Sequence, residues 1–315
     1  MKIVLTGAAG FIGAHVASLF LQSGHEVIGV DCFLPNLYSR EEKEHRIRNL
    51  TSHGAFEFIE LDLRVGDLGS LLSDVDVVIN EAAMPGLGPS WTDFETYQDC
   101  NVKAVQRLLD ALRMHPRVHL LHISTSSVYG RNALTDERGE TRPISPYGVT
   151  KLAAEQLIAA YQSEFSLSAS VLRYFSVYGP GQRPDMAFAR FCRRLLRGES
   201  IPITGNGSHS RSITFVTDIA HATLLAAEAK LSGAIMNISG AWEIALMDAV
   251  HILAEEIQVT PKIEYVEPRL GDQERTAGIS TRARLLLGWE PQVPPEEGLR
   301  LQARAALQEA CIDPL

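Results

Sequence analysis

Short apolar runs rich in Val, Ile and Leu recur along the first half of the chain, and longer segments with helical periodicity separate most of them. The runs lie at residues 3–5, 27–30, 56–61, 75–79, 118–123 and 170–174. Strands that are apolar on both faces are typical of a parallel sheet covered by helices on both sides, because neither face meets water. The alternation therefore predicts an α/β fold, a doubly wound parallel sheet with crossover helices.

The rhythm of the sequence changes near residue 176. Helices are predicted near 185–198, 217–229 and 246–257, with loops that contain Gly and Pro between them. We therefore expect a main domain over 1–175 and a smaller, mostly helical C-terminal subdomain over 176–315. Segments near 212–240 are expected to return to the main domain.

The composition excludes several classes of partner. The chain of 315 residues has a net charge of −9, so no basic stripe is available to neutralise the phosphates of a nucleic acid. No apolar run reaches the roughly 18 residues of a membrane span, and no leader pattern opens the sequence, so we expect a cytoplasmic protein without membrane contact. The four cysteines lie far apart and form no C-x-x-C pair, which predicts neither a disulfide framework nor a metal site.

A glycine-rich segment, T-G-A-A-G-F-I-G at 6–13, follows the first predicted strand and opens a helix. Glycines at this point allow a tight turn and let the backbone approach a pyrophosphate, whose charge then lies at the helix N-terminus. Asp31 ends the next strand, where a carboxylate accepts hydrogen bonds from an adenosine ribose and repels a 2′-phosphate. The segment therefore predicts a Rossmann-like NAD site, and Asp62 is a further candidate contact on the adenine side.

A second pattern pairs S-T-S-S-V-Y-G at 124–130 with S-P-Y-G-V-T-K at 145–151. Ser145 and Pro146 predict a helix start, which places Tyr147 and Lys151 on one helix face. A phenol is a poor base near neutral pH unless a cation stabilises the phenolate, and Lys151 provides that charge. Thr125 is predicted at the C-terminal end of a strand, where it could hold the substrate hydroxyl that Tyr147 deprotonates.

Together with R-Y-F-S-V-Y-G-P at 173–180 and R-S-I-T-F-V-T-D-I at 211–219, these motifs resemble the extended short-chain dehydrogenase/reductase family of NAD-dependent nucleotide-sugar epimerases and dehydratases. The resemblance implies that Thr125, Tyr147 and Lys151 are catalytic and that the C-terminal subdomain binds the nucleotide sugar. It implies that Arg211 and Arg269 clamp the nucleotide diphosphate. The residues that it implies around NAD are Gly7, Gly10, Phe11, Ile12, Gly13, Asp31, Asp62, Leu63, Ala82, Ala83, Asn101, Tyr147, Lys151 and Tyr174.

The resemblance also narrows the reaction. The dehydratase branch has Asp and Glu after the catalytic Thr, whereas this chain has Ser126 and Ser127, so loss of water is disfavoured. The segment G-Q-R-P-D-M-A at 181–187 resembles UDP-glucuronate 4-epimerases. With Met186 beside them, Arg183, Ser126, Ser127 and Ser176 are expected to bind the sugar and its C6 carboxylate.

The predicted function is therefore NAD-dependent 4-epimerisation of a UDP-sugar, UDP-glucuronate above all. Decarboxylation of UDP-glucuronate, 4-epimerisation of a neutral UDP-hexose and a catalytically silent NAD-binding protein remain open. Arg183 also has a structural alternative, a salt bridge with Asp185 that stabilises its loop. A homodimer through the helices near 101–114 and 147–165 is expected from the family.

Overall fold

The computed structural model describes residues 1–35, 39–205, 207, 210–267 and 275–312. Within these ranges the strands are β1 (Lys2–Thr6), β2 (Glu26–Asp31), β3 (Phe56–Glu60), β4 (Val77–Asn80), β5 (His119–Thr125), β6 (Asn132–Ala133), β7 (Ala169–Tyr174), β8 (Val177–Tyr178), β9 (Ser200–Thr204), β10 (Ser210–Ser212), β11 (Thr214–Phe215), β12 (Ile235–Ile238), β13 (Glu243–Ala245), β14 (Lys262–Val266) and β15 (Arg275–Thr276). The α-helices are α1 (Phe11–Gln22), α2 (Arg40–Arg48), α3 (Phe94–Gln98), α4 (Ala104–Leu112), α5 (Pro146–Phe165), α6 (Ala187–Leu196), α7 (Val216–Ala229), α8 (Leu246–Ile257), α9 (Thr281–Leu287) and α10 (Pro295–Ile312).

Seven strands form the main sheet in the order β12-β7-β5-β4-β1-β2-β3. Every neighbouring pair is parallel. The strand order reverses between β1 and β4, and open α/β sheets bind their ligands at the carboxyl ends of the strands beside such a reversal. The predicted doubly wound parallel sheet is therefore confirmed.

The two faces of the sheet carry separate apolar cores, because successive side chains of a strand point to opposite sides. Ile3 and Ile79 face a core that includes residues of α1, α7 and α9. Val4 and Val78 face the opposite core, which α4 and α5 cover. Burial on both faces explains why these strands read as continuous apolar runs rather than as alternating ones.

A third core lies in the C-terminal part of the chain, where α6, α8 and α10 pack together beside the β9–β14 pair. Two elements of this part nevertheless belong to the main body, since α7 packs on α1 and β12 pairs with β7. The domain boundaries at 175 and 176 stay a prediction. In the part of the chain that the structure describes, no helix is long and apolar enough to cross a membrane.

Helix α5 begins at Pro146, as its sequence predicts. The Ser145 hydroxyl caps the helix by accepting a hydrogen bond from the Gly148 N–H at 3.1 Å. Gly148 lies against the turn that follows β5, where a Cβ atom would meet the Ser127 carbonyl oxygen at 2.7 Å. A residue with a side chain at 148 would therefore push the helix away from the end of β5.

A buried ion pair fixes α5 to the sheet from below. Glu155 of α5 and Arg173 of β7 are each about 4% exposed, and the guanidinium Nη2 donates to the carboxylate at 2.6 Å. Ser124 of β5 donates to the same carboxylate, and Arg173 also donates to the Tyr129 hydroxyl at 2.7 Å. The network therefore joins α5, β5 and β7 directly beneath the ends of the strands.

We expect the Glu155→Gln substitution to lower the free energy of unfolding by about 3 kcal/mol, because it leaves the Arg173 charge buried without a counter-ion. Denaturant unfolding measures the change. Asp136→Asn is the matched control, since the Asp136–Arg138 pair lies at the surface and its loss is expected to change stability little. Equal effects of the two substitutions would contradict the role given to the buried pair.

Candidate active site

A cavity of about 1000 Å³ lies at the carboxyl ends of the main-sheet strands, between the sheet and the C-terminal part of the chain. Its size suits a dinucleotide together with a second ligand better than a single small metabolite. The predicted site residues that line it are Gly7, Gly10, Phe11, Ile12, Gly13, Asp31, Asp62, Leu63, Ala82, Ala83, Thr125, Ser126, Ser127, Tyr147, Lys151, Tyr174, Ser176, Arg183, Met186 and Arg211.

The glycine loop forms a cradle without side chains at the start of α1. Gly7 has a φ of +74°, and a Cβ atom there would meet the Ala82 nitrogen at 2.9 Å. A Cβ atom on Gly13 would meet the Gly7 carbonyl oxygen at 2.2 Å. Gly10 precedes α1 and offers no side-chain cap, so the first N–H groups of the helix stay available to an anion. The cradle fits a pyrophosphate.

Two carboxylates lie at the outer end of this cradle. Asp31 is 8% exposed and accepts hydrogen bonds from the Phe33 N–H at 2.8 Å and from Lys43 Nζ at 3.1 Å. The Arg64 guanidinium binds Asp62 through two nitrogens, and this hydrogen bonding lowers the pKa of the Asp62 carboxyl. The second oxygen of Asp31 suits a hydrogen bond from a ribose hydroxyl. The positive charge of Lys43 reduces the repulsion between the Asp31 carboxylate and an anion.

Thr125, Tyr147 and Lys151 meet where β5 ends and α5 begins. The Tyr147 hydroxyl is hydrogen-bonded to the Thr125 side chain. Lys151 is 3% exposed, and its Nζ donates to the Ile123 carbonyl oxygen at 2.6 Å. The catalytic roles of the three residues stay a prediction, but the structure brings them together on one wall of the cavity.

Burial dominates the protonation of this wall. It lowers the pKa of Lys151 to about 8, although Glu155 and Glu81 act in the opposite direction. It raises the pKa of Tyr147 above its ordinary value, while the hydrogen bond to Thr125 and the charge of Arg183 lower it. A base at Tyr147 therefore depends on cations that stabilise its phenolate.

Tyr97 supports this wall from α3. Its ring meets the Tyr147 ring edge-on at 6.2 Å between centroids. Its hydroxyl lies 2.8 Å from the Pro85 carbonyl oxygen and 2.9 Å from that of Gly86. Tyr97 thus connects the catalytic helix to the loop that follows β4.

Among the residues that the structure describes, three further arginines line the side of the cavity formed by the chain after β7. Arg183 is bound by Asp185 through two hydrogen bonds of 2.9 Å, and its side chain is 14% exposed. The predicted alternative for Arg183, a salt bridge with Asp185, is therefore present, and the same side chain also lines the cavity. Arg211 of β10 and Arg190 of α6 line the cavity as well, so this side suits phosphates and carboxylates.

Two predicted residues differ from the rest. Asn101 does not line the cavity in the part that the structure describes, because its side-chain amide is bound to the Met84 N–H and carbonyl and to the Thr150 hydroxyl. It therefore holds the loop after β4 in place, and its contact with the cofactor stays a prediction. Arg269 lies outside the described residues.

Lys43, Glu81 and Arg190 are among the cavity-lining residues to which sequence reasoning gave no role. Lys43 and Arg190 lie on amphipathic helices, where a charged residue reads as part of a solvated face. Glu81 directly precedes the predicted pair Ala82 and Ala83, and this position next to a strand end was the available signal.

The fold and the cavity define a dinucleotide-dependent enzyme, with a buried tyrosine and lysine on one wall of its cavity. Residues 3–239 match the model of the NAD dependent epimerase/dehydratase family. A UDP-glucuronate 4-epimerase of Thermodesulfobacterium geofontis is 33% identical over 303 residues, which cover 94% of this chain and 93% of that protein. The Bacillus subtilis protein YtcB, described as an uncharacterized UDP-glucose epimerase, is 37% identical over 304 residues, 95% of this chain and 96% of YtcB.

The structural comparison agrees with these relatives. The crystal structure of UDP-glucuronic acid 4-epimerase from Bacillus cereus, in complex with UDP-glucuronic acid and NAD, has a TM-score of 0.95. It is 36% identical and covers 98% of this chain and 100% of its own. The chain therefore belongs to the NAD dependent epimerase/dehydratase family. The glycine cradle and Asp31 fit the NAD on which this family depends.

We expect Gly13→Ala to weaken NAD binding about fivefold or more, because the added methyl would displace the Gly7 carbonyl from the cradle and such overpacking costs about 1–3 kcal/mol. Calorimetric titration with NAD measures the affinity. Gly54→Ala is the control, since no atom lies within 4 Å of a Cβ at that position. An unchanged affinity of Gly13→Ala would argue against the cradle as the pyrophosphate site.

Proposed function

We propose that this protein is a UDP-sugar 4-epimerase and that its substrate is UDP-glucuronate, which it converts to UDP-galacturonate. One observation carries the proposal: the Thr125–Tyr147–Lys151 wall opens into the same cavity as the NAD cradle and faces Arg183, Ser126, Ser127 and Ser176. A tyrosine base, a hydride acceptor and a set of carboxylate ligands are the groups that this reaction needs.

The protein residues would act on the sugar 4-hydroxyl in sequence. Thr125, through its hydroxyl, would position the sugar oxygen beside the Tyr147 hydroxyl. Tyr147 would take the proton from this oxygen while the hydrogen on C4 leaves as hydride, which yields a 4-keto sugar. Bound NAD supplies the acceptor for the hydride and later its donor. Lys151 would hold the phenolate form of Tyr147 through its positive charge.

Epimerisation then requires that the hydride return to the opposite face of the ketone. The sugar must rotate, while the nucleotide diphosphate stays bound to Arg190 and Arg211. Ser126 and Ser127 follow Thr125 and have hydroxyls that do not ionise near neutral pH, so they cannot act as the acid and base that expel the 6-hydroxyl. The neighbours of Thr125 therefore favour epimerisation over loss of water.

Oxidised glucuronate is a β-keto acid, and it loses carbon dioxide when the C5–C6 bond aligns with the π system of the carbonyl. Neutral hydroxyl donors on Ser126, Ser127 and Ser176 could fix the carboxylate away from this alignment. Arg183 supplies one cation on the same side, and Asp185 offsets much of its charge at 2.9 Å. Hydroxyls and a partly neutralised guanidinium would hold the C6 carboxylate so that the sugar ring keeps its conformation. They would not bind the carboxylate so tightly that the sugar cannot rotate.

The relatives support this substrate. The matching Bacillus cereus structure holds UDP-glucuronic acid and NAD, and the Thermodesulfobacterium geofontis relative is a UDP-glucuronate 4-epimerase. YtcB is described as a UDP-glucose epimerase, which keeps 4-epimerisation of a neutral UDP-hexose as the second candidate. A UDP-glucuronate decarboxylase and a non-catalytic NAD-binding protein are the remaining alternatives.

The first test is to incubate the purified protein with UDP-glucuronate and NAD and to resolve the products by chromatography and proton NMR. We expect UDP-galacturonate without release of carbon dioxide. Tyr147→Phe is the matched control and should leave the substrate unconverted, because it removes the base and keeps the ring. Formation of a UDP-pentose would instead indicate a decarboxylase. Conversion of UDP-glucose alone would contradict the carboxylate pocket.

A second test addresses the serines. We expect the combined substitution of Ser126, Ser127 and Ser176 by Ala to raise the share of decarboxylated product, because the carboxylate loses the donors that fix it. Proton NMR of the product mixture measures this share. Ser163→Ala on the exposed face of α5 is the control. An unchanged product ratio would count against the role of the three hydroxyls.

We also propose that two copies of the chain pair through α4 and α5. Val149 and Phe165 on α5 are each 47% exposed, and Met114, just after α4, is 79% exposed. Apolar groups on neighbouring helices suit a four-helix interface between copies. Light scattering should give twice the mass of one chain, and Val149→Glu should shift the protein to monomers. A wild-type protein that is monomeric at micromolar concentration would refute the pairing.

A further inference from the structure

Glu81 lines the cavity, and it places a buried carboxyl group beside it for which the reaction described above has no use. The residue follows β4, and both of its carboxylate oxygens are buried. Neither oxygen has a hydrogen-bond partner among the residues that the structure describes. Burying such a group without a partner costs several kcal/mol in an apolar setting, so a carboxyl at this point calls for a ligand or a charge.

The surroundings of Glu81 indicate which part of the cavity it faces. A Cβ atom on Gly7 would meet the Glu81 carbonyl carbon at 3.2 Å, so the residue adjoins the pyrophosphate cradle. The charge of Lys151 lowers the pKa of the Glu81 carboxyl, and the charge of Glu81 raises the pKa of Tyr174 on β7. Glu81 thus lies between the cradle and the wall that carries Tyr147. Because the hydride must pass beside Tyr147, this is the end of the cavity where the nicotinamide ring has to lie.

We propose that Glu81 is an electrostatic positioning residue for the nicotinamide end of the cofactor, and that it makes the cavity bind oxidised NAD in preference to the reduced form. The two forms differ by one positive charge on the ring, so a carboxylate at this end stabilises the oxidised form alone. The resting enzyme then keeps its cofactor oxidised, and the hydride returns readily to the keto sugar. The inference rests on the proposed function in two respects, since it takes NAD as the ligand of this cavity and Tyr147 as the neighbour of its nicotinamide ring.

The charges around Glu81 are consistent with this role. Burial raises the pKa of the Glu81 carboxyl to about 8, and the positive charge of Lys151 acts in the opposite direction. A second positive charge in the same cavity would act as Lys151 does and favour the ionised carboxylate. The carboxyl therefore responds to the charge of its ligand.

Competition between the two cofactor forms tests the proposal without any sugar. The protein is equilibrated with a known mixture of NAD and NADH, passed through a desalting column, and the bound fraction of NADH is read from the near-ultraviolet absorbance of the reduced ring. We expect Glu81→Gln to shift the bound ratio toward NADH by about tenfold or more, given the size of charge–charge interactions at partly buried sites. Glu57→Gln removes one exposed carboxylate from β3 and should leave the ratio at the wild-type value.

Glu81→Leu is a second variant, which serves if Glu81→Gln does not fold and which should shift the ratio in the same direction. An unchanged ratio in a folded Glu81 variant would overturn the proposal. Equal weakening of the binding of both cofactor forms would overturn it as well. That result would mean that Glu81 affects only the shape of the cavity and does not discriminate between the two charges of the nicotinamide ring. A failure of the epimerase assay would leave this measurement intact, since no UDP-sugar enters it.

Discussion

The buried pair between Glu155 and Arg173 is the interaction on which the active site depends. It joins the middle of α5 to β7, while Ser124 of β5 donates to the same carboxylate. Lys151 lies about one turn and Tyr147 about two turns before Glu155 on the same helix. Their height over the strand ends is therefore set by a contact deep in the protein, which neither residue makes itself. Removal of one partner is costly, whereas the intact pair gains little over an apolar pair of similar size; its geometry, however, allows few alternative positions for the helix.

The active site keeps several ionisable groups in one poorly solvated wall. Lys151 loses stability as a cation through burial, and Tyr147 loses it as a phenolate. Other neighbours offset this loss: Glu155 and Glu81 favour the Lys151 cation, and the Thr125 hydrogen bond and the charge of Arg183 favour the Tyr147 phenolate. The protonation of this wall therefore depends on several groups at once.

Much of this architecture could be predicted from the sequence, because local signals and tertiary position agreed. The apolar runs became the central strands, and Ser145 with Pro146 became the start of α5. For Asn101 the sequence does not reveal whether the side-chain amide contacts a ligand or holds a loop in place, and only the structure shows its hydrogen bond to the Met84 N–H. Lys43 and Arg190 could not be predicted as cavity residues, because their long charged side chains reach the cavity from helix faces that are typical of solvent exposure. Glu81 escaped because only the folded chain shows that its carboxyl is buried.

The interleaving of the chain has a consequence for how the site can move. After β7 the backbone enters the C-terminal part, returns with α7 and β12, leaves again with β13, returns with α9 and leaves once more with α10. A domain joined by one linker can open by a hinge rotation, whereas two parts joined at five chain crossings resist rotation about any single axis. The parts of the chain on either side of the cavity therefore keep their relative position during turnover. A sugar that turns in this cavity would therefore do so between two parts of the chain that are joined at several points.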